Sequence, residues 1–229
     1  RDAPVIGPHR SARTTDPDLL AMFGQPLFAY SGGNPKVVEH LSRIPWKVDV
    51  AHGAVPDAYF RDERWPYPNN LFARPDVLRT RGADARWPRR QFAYRPEGTA
   101  PVGIPVQSFV AAAGPPVQFR WDAALGGWRR RIHDREHVHA NGTPVAPNNV
   151  VVIETTYGES FADARSPEAK TLGRGRAWVF SEGRVTAGTW TRLRNTDPWN
   201  LRDGAGNSML LTPGTTWVVV GKGGPIVLG

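Results

Sequence analysis

Apolar and polar positions change their period part-way along this chain. From residue 117 onward they alternate: Gln118-Phe119-Arg120-Trp121-Asp122, a turn over 123–127, then Gly127-Trp128-Arg129-Arg130-Arg131-Ile132. Period two on both sides of a short turn predicts a β-hairpin. The pattern recurs at 176–180 and 184–192 around Ser181-Glu182-Gly183, and at 209–211 and 215–220 around Thr212-Pro213-Gly214, so three hairpins are expected. Residues 149–154 form a near-continuous apolar run bounded by Pro147-Asn148, as a strand buried on both faces requires. Short strands with turns every ~8 to 12 residues predict an antiparallel β domain, a small barrel or sandwich. Trp121, Trp128, Trp178, Trp190 and Trp217 fall in alternating stretches and read as core or inter-strand plugs.

Before residue 80 the signals mix. Asp16-Pro17 ahead of Leu19, Leu20, Met22 and Phe23 predicts a helix over 16–23, with Asp16 as N-cap. Residues 26–30 read as a buried strand, Ser31-Gly32-Gly33-Asn34-Pro35 as the loop at its end, 36–41 as a helix and 44–50 as another strand, which makes an α/β unit. Pro4-Val5-Ile6 reads as a short strand, and Arg74-Pro75 opens one more helix. Over 80–117 the composition shifts to Arg, Pro, Gly and Ala around one strand-like run at 106–110, which predicts an inter-domain stretch. The expected fold class is α+β. An N-terminal α/β-like domain with a small mixed sheet covers 1–80, an irregular linker 81–116, and the antiparallel β domain 117–229.

Charge and composition narrow the function classes. The 229 residues carry 29 Lys+Arg against 21 Asp+Glu, a net charge of +8, and the lysines are Lys36, Lys47, Lys170 and Lys222. An arginine excess suits anionic partners, although GC-rich codon usage accounts for most of it. Nucleic acid would rest on charge alone, without a stacking module, and is not expected as a partner. Cysteine is absent, so there is no disulfide scaffold, thiolate nucleophile or Cys-ligated metal. No run approaches the ~18 to 20 apolar residues of a membrane span. A Gly-x-Ser-x-Gly elbow, a Walker loop and a dinucleotide glycine motif are all missing. His133, His137 and His139 occupy alternate positions that could converge on a metal, but with no carboxylate to orient them they read as solvated side chains near a turn. Neither a metal nor a cofactor is expected.

Candidate chemistry lies in two loops. Gly7-Pro8-His9-Arg10-Ser11-Ala12-Arg13 packs two guanidiniums, an imidazole and a hydroxyl together, and planar Arg forks suit carboxylate or phosphate. Residues 58–72 set Arg61, Asp62, Asn69 and Asn70 among aromatics and prolines that forbid a regular helix or central strand. Each loop follows a short apolar element that would carry it to one end of a sheet, beside Ser31-Gly32-Gly33. Arg10, Ser11, Arg13, Ser31, Gly32, Arg61, Asn69 and Asn70 are therefore expected to form one anion-binding pocket, with Asp62 neutralising one arginine. The alternative is a hydrolase or transferase in the same pocket, with Asp62 as base and Arg10 and Arg13 holding an oxyanion or phosphate. No activated nucleophile is visible, which favours binding over turnover.

These motifs, followed in order by Pro68-Asn69-Asn70-Leu71, Phe119-Arg120-Trp121-Asp122, Ala146-Pro147-Asn148-Asn149, Gly173-Arg174-Gly175-Arg176-Ala177, Gly188-Thr189-Trp190 and Thr212-Pro213-Gly214-Thr215-Thr216-Trp217, resemble the DUF3048 family of YerB-like lipoproteins along essentially the whole chain. The resemblance implies an α/β-like domain followed by a β domain, export in Gram-positive bacteria, and a lipid anchor on an upstream cysteine. Membrane contact is then expected only through that anchor, and an anionic cell-wall or envelope component is the expected ligand. It also implies strands upstream of Arg1, as a separate or cleaved partner for the strand at 4–6. The family's Pro-His-Asn is Pro68-Asn69-Asn70 here, and His9 stands where the family usually has an apolar residue.

Overall fold

Local sequence rules account for the helices. The Asn34 side chain accepts a hydrogen bond from the Lys36 N–H at 3.0 Å and Pro35 occupies the first turn, so helix α2 (Pro35–Ser42) starts where a capping asparagine and a pre-set proline φ meet. Val37 and Leu41, four apart, are its buried stripe. Helix α1 (Asp16–Ala21) is shorter than the expected 16–23, and its N-cap is Thr15. Asp16 instead accepts the Arg13 N–H at 2.7 Å, closing the arginine loop rather than capping the helix.

The architecture comes from a computed structural model that describes residues 4–45, 47–112, 114–164 and 166–228. Arg1, and Trp46 within the strand expected over 44–50, lie outside the described residues. The chain divides into two compact units, one built from residues 1–90, 159–168 and 195–197, the other from 91–158, 169–194 and 198–229.

In the first unit, β1 (Leu27–Phe28), α2 and β2 (Val48–Asp49) make one βαβ step with the strands parallel. Hydrogen bonds from Val48 to Pro26, Val50 to Phe28 and His52 to Tyr30 carry the pairing along the whole 26–30 stretch. β3 (Tyr59–Arg61) and β4 (Leu71–Ala73) form a separate antiparallel pair, and α3 (Pro75–Arg81) follows. The expected single mixed sheet is thus two small sheets. Of the expected strand at 4–6, Ile6 bridges to Ala73 on the free side of β4, and His9 donates to the Leu71 carbonyl at 2.7 Å. Val50, Leu71, Leu78 and Leu41 are buried around these elements.

The second unit is a β sandwich. Its strands are β5 (Ile104–Pro105), β6 (Ser108–Ala112), β7 (Pro116–Asp122), β8 (Gly127–Ile132), β9 (Arg135–Glu136), β10 (Asn149–Glu154), β11 (Tyr157–Gly158), β12 (Glu168–Ala169), β13 (Gly173–Ser181), β14 (Arg184–Arg192), β15 (Asn200–Asp203), β16 (Thr216–Gly221) and β17 (Ile226–Leu228). One sheet has the order β17-β6-β7-β8-β9, the other β15-β14-β13-β10-β16 with β5 on β14. β11 and β12 bracket the excursion 159–168, which belongs to the first unit. Phe109, Phe119 and Trp128 from one sheet meet Val150, Val152 and Phe180 from the other in a shared core. Each of these rings stabilises the fold by about 1.5–3 kcal/mol through area removed from water. Trp128 and Trp190 are fully buried, and Trp121, Trp178 and Trp217 pack partly buried against the core. At the β13–β14 turn Glu182 (φ 48°) and Gly183 (φ 68°) take the two left-handed positions of a tight hairpin, and Arg95 pairs with the Glu182 carboxylate.

Two expectations are corrected. The expected linker 81–116 is not one irregular stretch: 81–90 belong to the first unit, and β5 and β6 are sandwich strands, β6 pairing with β7 from Ser108↔Arg120 to Ala112↔Pro116 and burying Phe109. The third hairpin does not form either. β16 runs parallel to β10, with Val150 opposite Trp217, while Leu211 pairs with Ala93 and Arg95. The cause is Asn149, fully buried, whose side chain takes both the N–H (3.0 Å) and the carbonyl (2.8 Å) of Thr212 and so fixes the entry to β16 beside its own strand.

Candidate functional site

The two loops singled out in the sequence meet at the start of β4. Asn69 and Asn70 precede that strand, Arg61 lies opposite Leu71 on one side, and His9, on the other side, donates to the Leu71 carbonyl. Backbone pairing thereby fixes both arginines, Arg61 directly and Arg10 through its neighbour His9. Arg10 Nη1 donates to Asn69 Oδ1, and Arg61 Nη1 donates to the buried Asn70 Oδ1 at 2.7 Å. Two guanidiniums far apart in sequence thus flank one asparagine pair. Tyr67 stands beside them, 76% exposed, with the Arg61 guanidinium 5.2 Å from its ring centroid. Gly7 permits the approach, since a Cβ there would come within 2.6 Å of Phe72 Cδ1 and 2.9 Å of the Leu71 carbonyl.

Asp62 does not face the arginines expected to share its pocket. Its oxygens accept from Arg64 Nε at 2.9 and 3.1 Å and from Nη2 at 2.6 Å, and the Arg64 N–H adds a bond at 3.1 Å. That fork holds the Asp62 carboxyl below the usual carboxylate range. Among the described residues no carboxylate pairs with Arg10 or Arg61. The constellation is therefore net positive, and its neutral partners are amides.

Arg13 and Ser11 go elsewhere. They line a cavity of about 180 Å³ with Thr14, Asn34, Ser160 and Ser166, and Arg13 Nη1 donates to Ser166 Oγ at 3.0 Å. The expected single pocket is thus two places, because residues 159–168 supply Arg13 with its own partner. Ser31 and Gly32 are engaged by the backbone of the arginine loop: the Ser31 N–H donates to the Arg10 carbonyl at 3.0 Å, and the Gly32 carbonyl accepts from Ala12 at 2.9 Å. They position the loop rather than open a cradle.

A polar cluster behind the site was not anticipated. Asp49 accepts from Tyr30 Oη (3.0 Å), Lys47 Nζ (2.7 Å) and the Ala51 N–H (3.0 Å), while Tyr59 Oη donates to the Val50 carbonyl at 2.6 Å. Burial pushes the Tyr59 phenol up to about 12 and the Tyr30 phenol higher still, with Asp49 adding to the Tyr30 shift. Both are neutral hydrogen-bond donors at neutral pH. The His9 ring meets Tyr59 edge-on, its Nε2 buried without a partner among the described residues, and desolvation lowers its pKa. The spacing Lys47-x-Asp49 on a strand, which sets both side chains on one face, was the available signal. In the sandwich, His133 and Asp134 take left-handed turn positions, and His137 Nδ1 lies 3.0 Å from Arg130 Nη1. Among the described residues no three His, Cys, Asp or Glu are placed to share a metal ion.

Comparison with known proteins places this architecture. Residues 1–88 match the family model described as the protein of unknown function (DUF3048) N-terminal domain, and residues 106–218 match its C-terminal domain. The chain belongs to the DUF3048 family. The crystal structure of YerB from Bacillus subtilis has the same fold, with a TM-score of 0.83 at 16% identity, over 100% of this chain and 79% of that one. No curated protein matches the chain. The family boundary at 106 falls just before β6, in accord with a sandwich that takes in residues once expected as linker. Among the described residues no helix is long and apolar enough to cross a membrane.

Proposed function

We propose that this DUF3048 protein is an extracytoplasmic binding module for an anionic component of the bacterial cell envelope, carried in the full-length protein by an upstream lipid anchor. One observation carries the reading: Arg10 and Arg61 flank the Asn69–Asn70 pair with no carboxylate to compensate them among the described residues. Two guanidiniums anchored on consecutive asparagines leave the start of β4 net positive, and a phosphate or carboxylate that reaches them gains charge-assisted hydrogen bonds. Asparagine amides leave the guanidiniums their full charge while fixing their direction. Tyr67, one face under Arg61 and the rest in solvent, offers a saccharide ring a stacking edge next to the anion. The ligand that fits is an acidic or phosphorylated glycan. Asp62 is occupied by Arg64, so it supports a binding role better than a base in hydrolysis or transfer.

The test is calorimetric titration with inorganic phosphate, an oligomeric glycerol phosphate and a uronic-acid oligosaccharide. The parent should bind at least one of them with an affinity that falls as salt rises, and Arg10→Gln and Arg61→Gln should each weaken it about tenfold or more, the worth of a charged hydrogen bond. Unchanged affinity in both variants, or equal binding of a neutral oligosaccharide, overturns the proposal.

A further inference from the structure

A second feature of the N-terminal unit is unused by that site. Residues 86–90 read Arg-Trp-Pro-Arg-Arg. The Arg86 N–H donates to the Gln25 carbonyl at 2.9 Å and the Arg89 N–H to the Phe23 carbonyl at 3.3 Å, so the segment is pinned at two points with Trp87 between them. Trp87 is 94% exposed, the most exposed large apolar side chain among the described residues. A groove of about 440 Å³ lies alongside, lined by Phe23, Gln25, Pro45, Arg86 and Arg89. Arg89 lies across Gly24, where a Cβ would come within 3.2 Å of its Nε.

An indole that stacks on a sugar rests one face on protein and offers the other. Trp87 borders the groove yet is 94% exposed, and only a medium that surrounds the ring can desolvate it fully. The chain holds it out on a fixed backbone, next to three exposed arginines, Arg86, Arg89 and Arg90. Indole belongs at the level of lipid headgroups, with its apolar body in the boundary and its N–H toward water, and arginines beside it meet anionic headgroups. We infer that Arg86, Trp87, Arg89 and Arg90 form a docking point for an anionic phospholipid surface, with Trp87 entering the headgroup layer. Tyr67 contrasts with it, since that ring has one face under Arg61 and suits a glycan.

Sedimentation of the full chain with vesicles tests this. Mixed phosphatidylglycerol–phosphatidylcholine vesicles should carry the protein down, pure phosphatidylcholine vesicles should not, and added salt should release it. Trp87→Ala and Arg86→Gln, both at exposed positions, should keep the parent's circular dichroism and each lower partitioning, by about fivefold for the lost arginine. A nitroxide quencher carried on the lipid should dim the parent's tryptophan emission and spare that of Trp87→Ala. Failure of the parent to sediment with anionic vesicles, partitioning of both variants at the parent's level, or quenching unchanged in Trp87→Ala overturns the inference. So does an acidic polysaccharide whose binding depends on Trp87 while vesicle binding does not. Asn69→Ala, which alters the glycan constellation without changing charge, should sediment as the parent does, and its failure to do so would merge the two sites.

Discussion

Replacing Asn149 with alanine should be among the most damaging single changes to the sandwich. The side chain is fully buried, Nδ2 donates to the Thr212 carbonyl at 2.8 Å, and Oδ1 accepts from the Thr212 N–H at 3.0 Å and Ser181 Oγ at 2.9 Å. In Asn149→Ala, Ser181 keeps a partner in Thr212 Oγ1, 2.6 Å away, so two backbone groups of Thr212 are orphaned. Thr212 itself is half-buried, so water can reach part of the loss, and at ~1–3 kcal/mol for each group left unsatisfied the expected cost is about 2 kcal/mol or more. Against a typical domain stability of about 5–15 kcal/mol, that is a large fraction. Asn148 is the internal control: it bonds the Gly126 carbonyl and the Thr215 N–H, each at 2.9 Å, but is only half-buried. Water can replace its bonds, and Asn148→Ala should cost about 1 kcal/mol. Native-state hydrogen exchange read on peptides covering 149–154 and 173–192 reports the sandwich separately from the other unit. Equal costs for the two variants, or a cost for Asn149→Ala below about 1 kcal/mol, would refute the reasoning that burial sets the difference.

Other outcomes follow from the same contacts. Arg64→Ala removes the fork on Asp62, whose carboxyl should then titrate closer to its ordinary value by NMR; an unmoved titration would show that Arg64 is not its main partner. Gly7→Ala should cost about 1–3 kcal/mol by crowding Phe72 and the Leu71 carbonyl, and should weaken anion binding at Arg10 by disturbing the His9–Leu71 bond; unchanged melting temperature and affinity would contradict this. Burial lowers the His9 pKa from 6.5, so the unfolded chain takes up protons first as pH falls. The stability held above about pH 7 should decline as pH drops through 6.5 and level off below the folded value, and His9→Gln should flatten part of that slope in urea denaturation at a series of pH values. A variant retaining the whole slope would assign it to other groups, His137 first, whose pKa burial also lowers.

Sequence alone determined what acts over a few residues. Alternation made β7, β8, β13 and β14 legible, because a strand facing a core must put every second side chain into it, and Glu182-Gly183 could be read as a turn from its glycine. The helix expected over 36–41 is α2, which begins one residue earlier at Pro35 behind the Asn34 cap, and the apolar run announced β10. Order and spacing of short motifs sufficed for the family. Tertiary structure decided partners. β16 alternates as well as any hairpin arm, and only the buried Asn149 amide sets it parallel to β10. Residues 91–116 look like linker because β6 is short and ringed by glycine and proline, yet Phe109 stacks on Phe180 across the core. The arginines were the least legible. Their positions in sequence put Arg10, Arg13 and Arg61 together, but a long side chain with several rotamers takes the acceptor that the fold brings within reach. Arg10 reaches Asn69, Arg61 reaches Asn70 and Arg64 takes Asp62, while Arg13 finds Ser166 on a segment that leaves the sandwich strands to join the other unit.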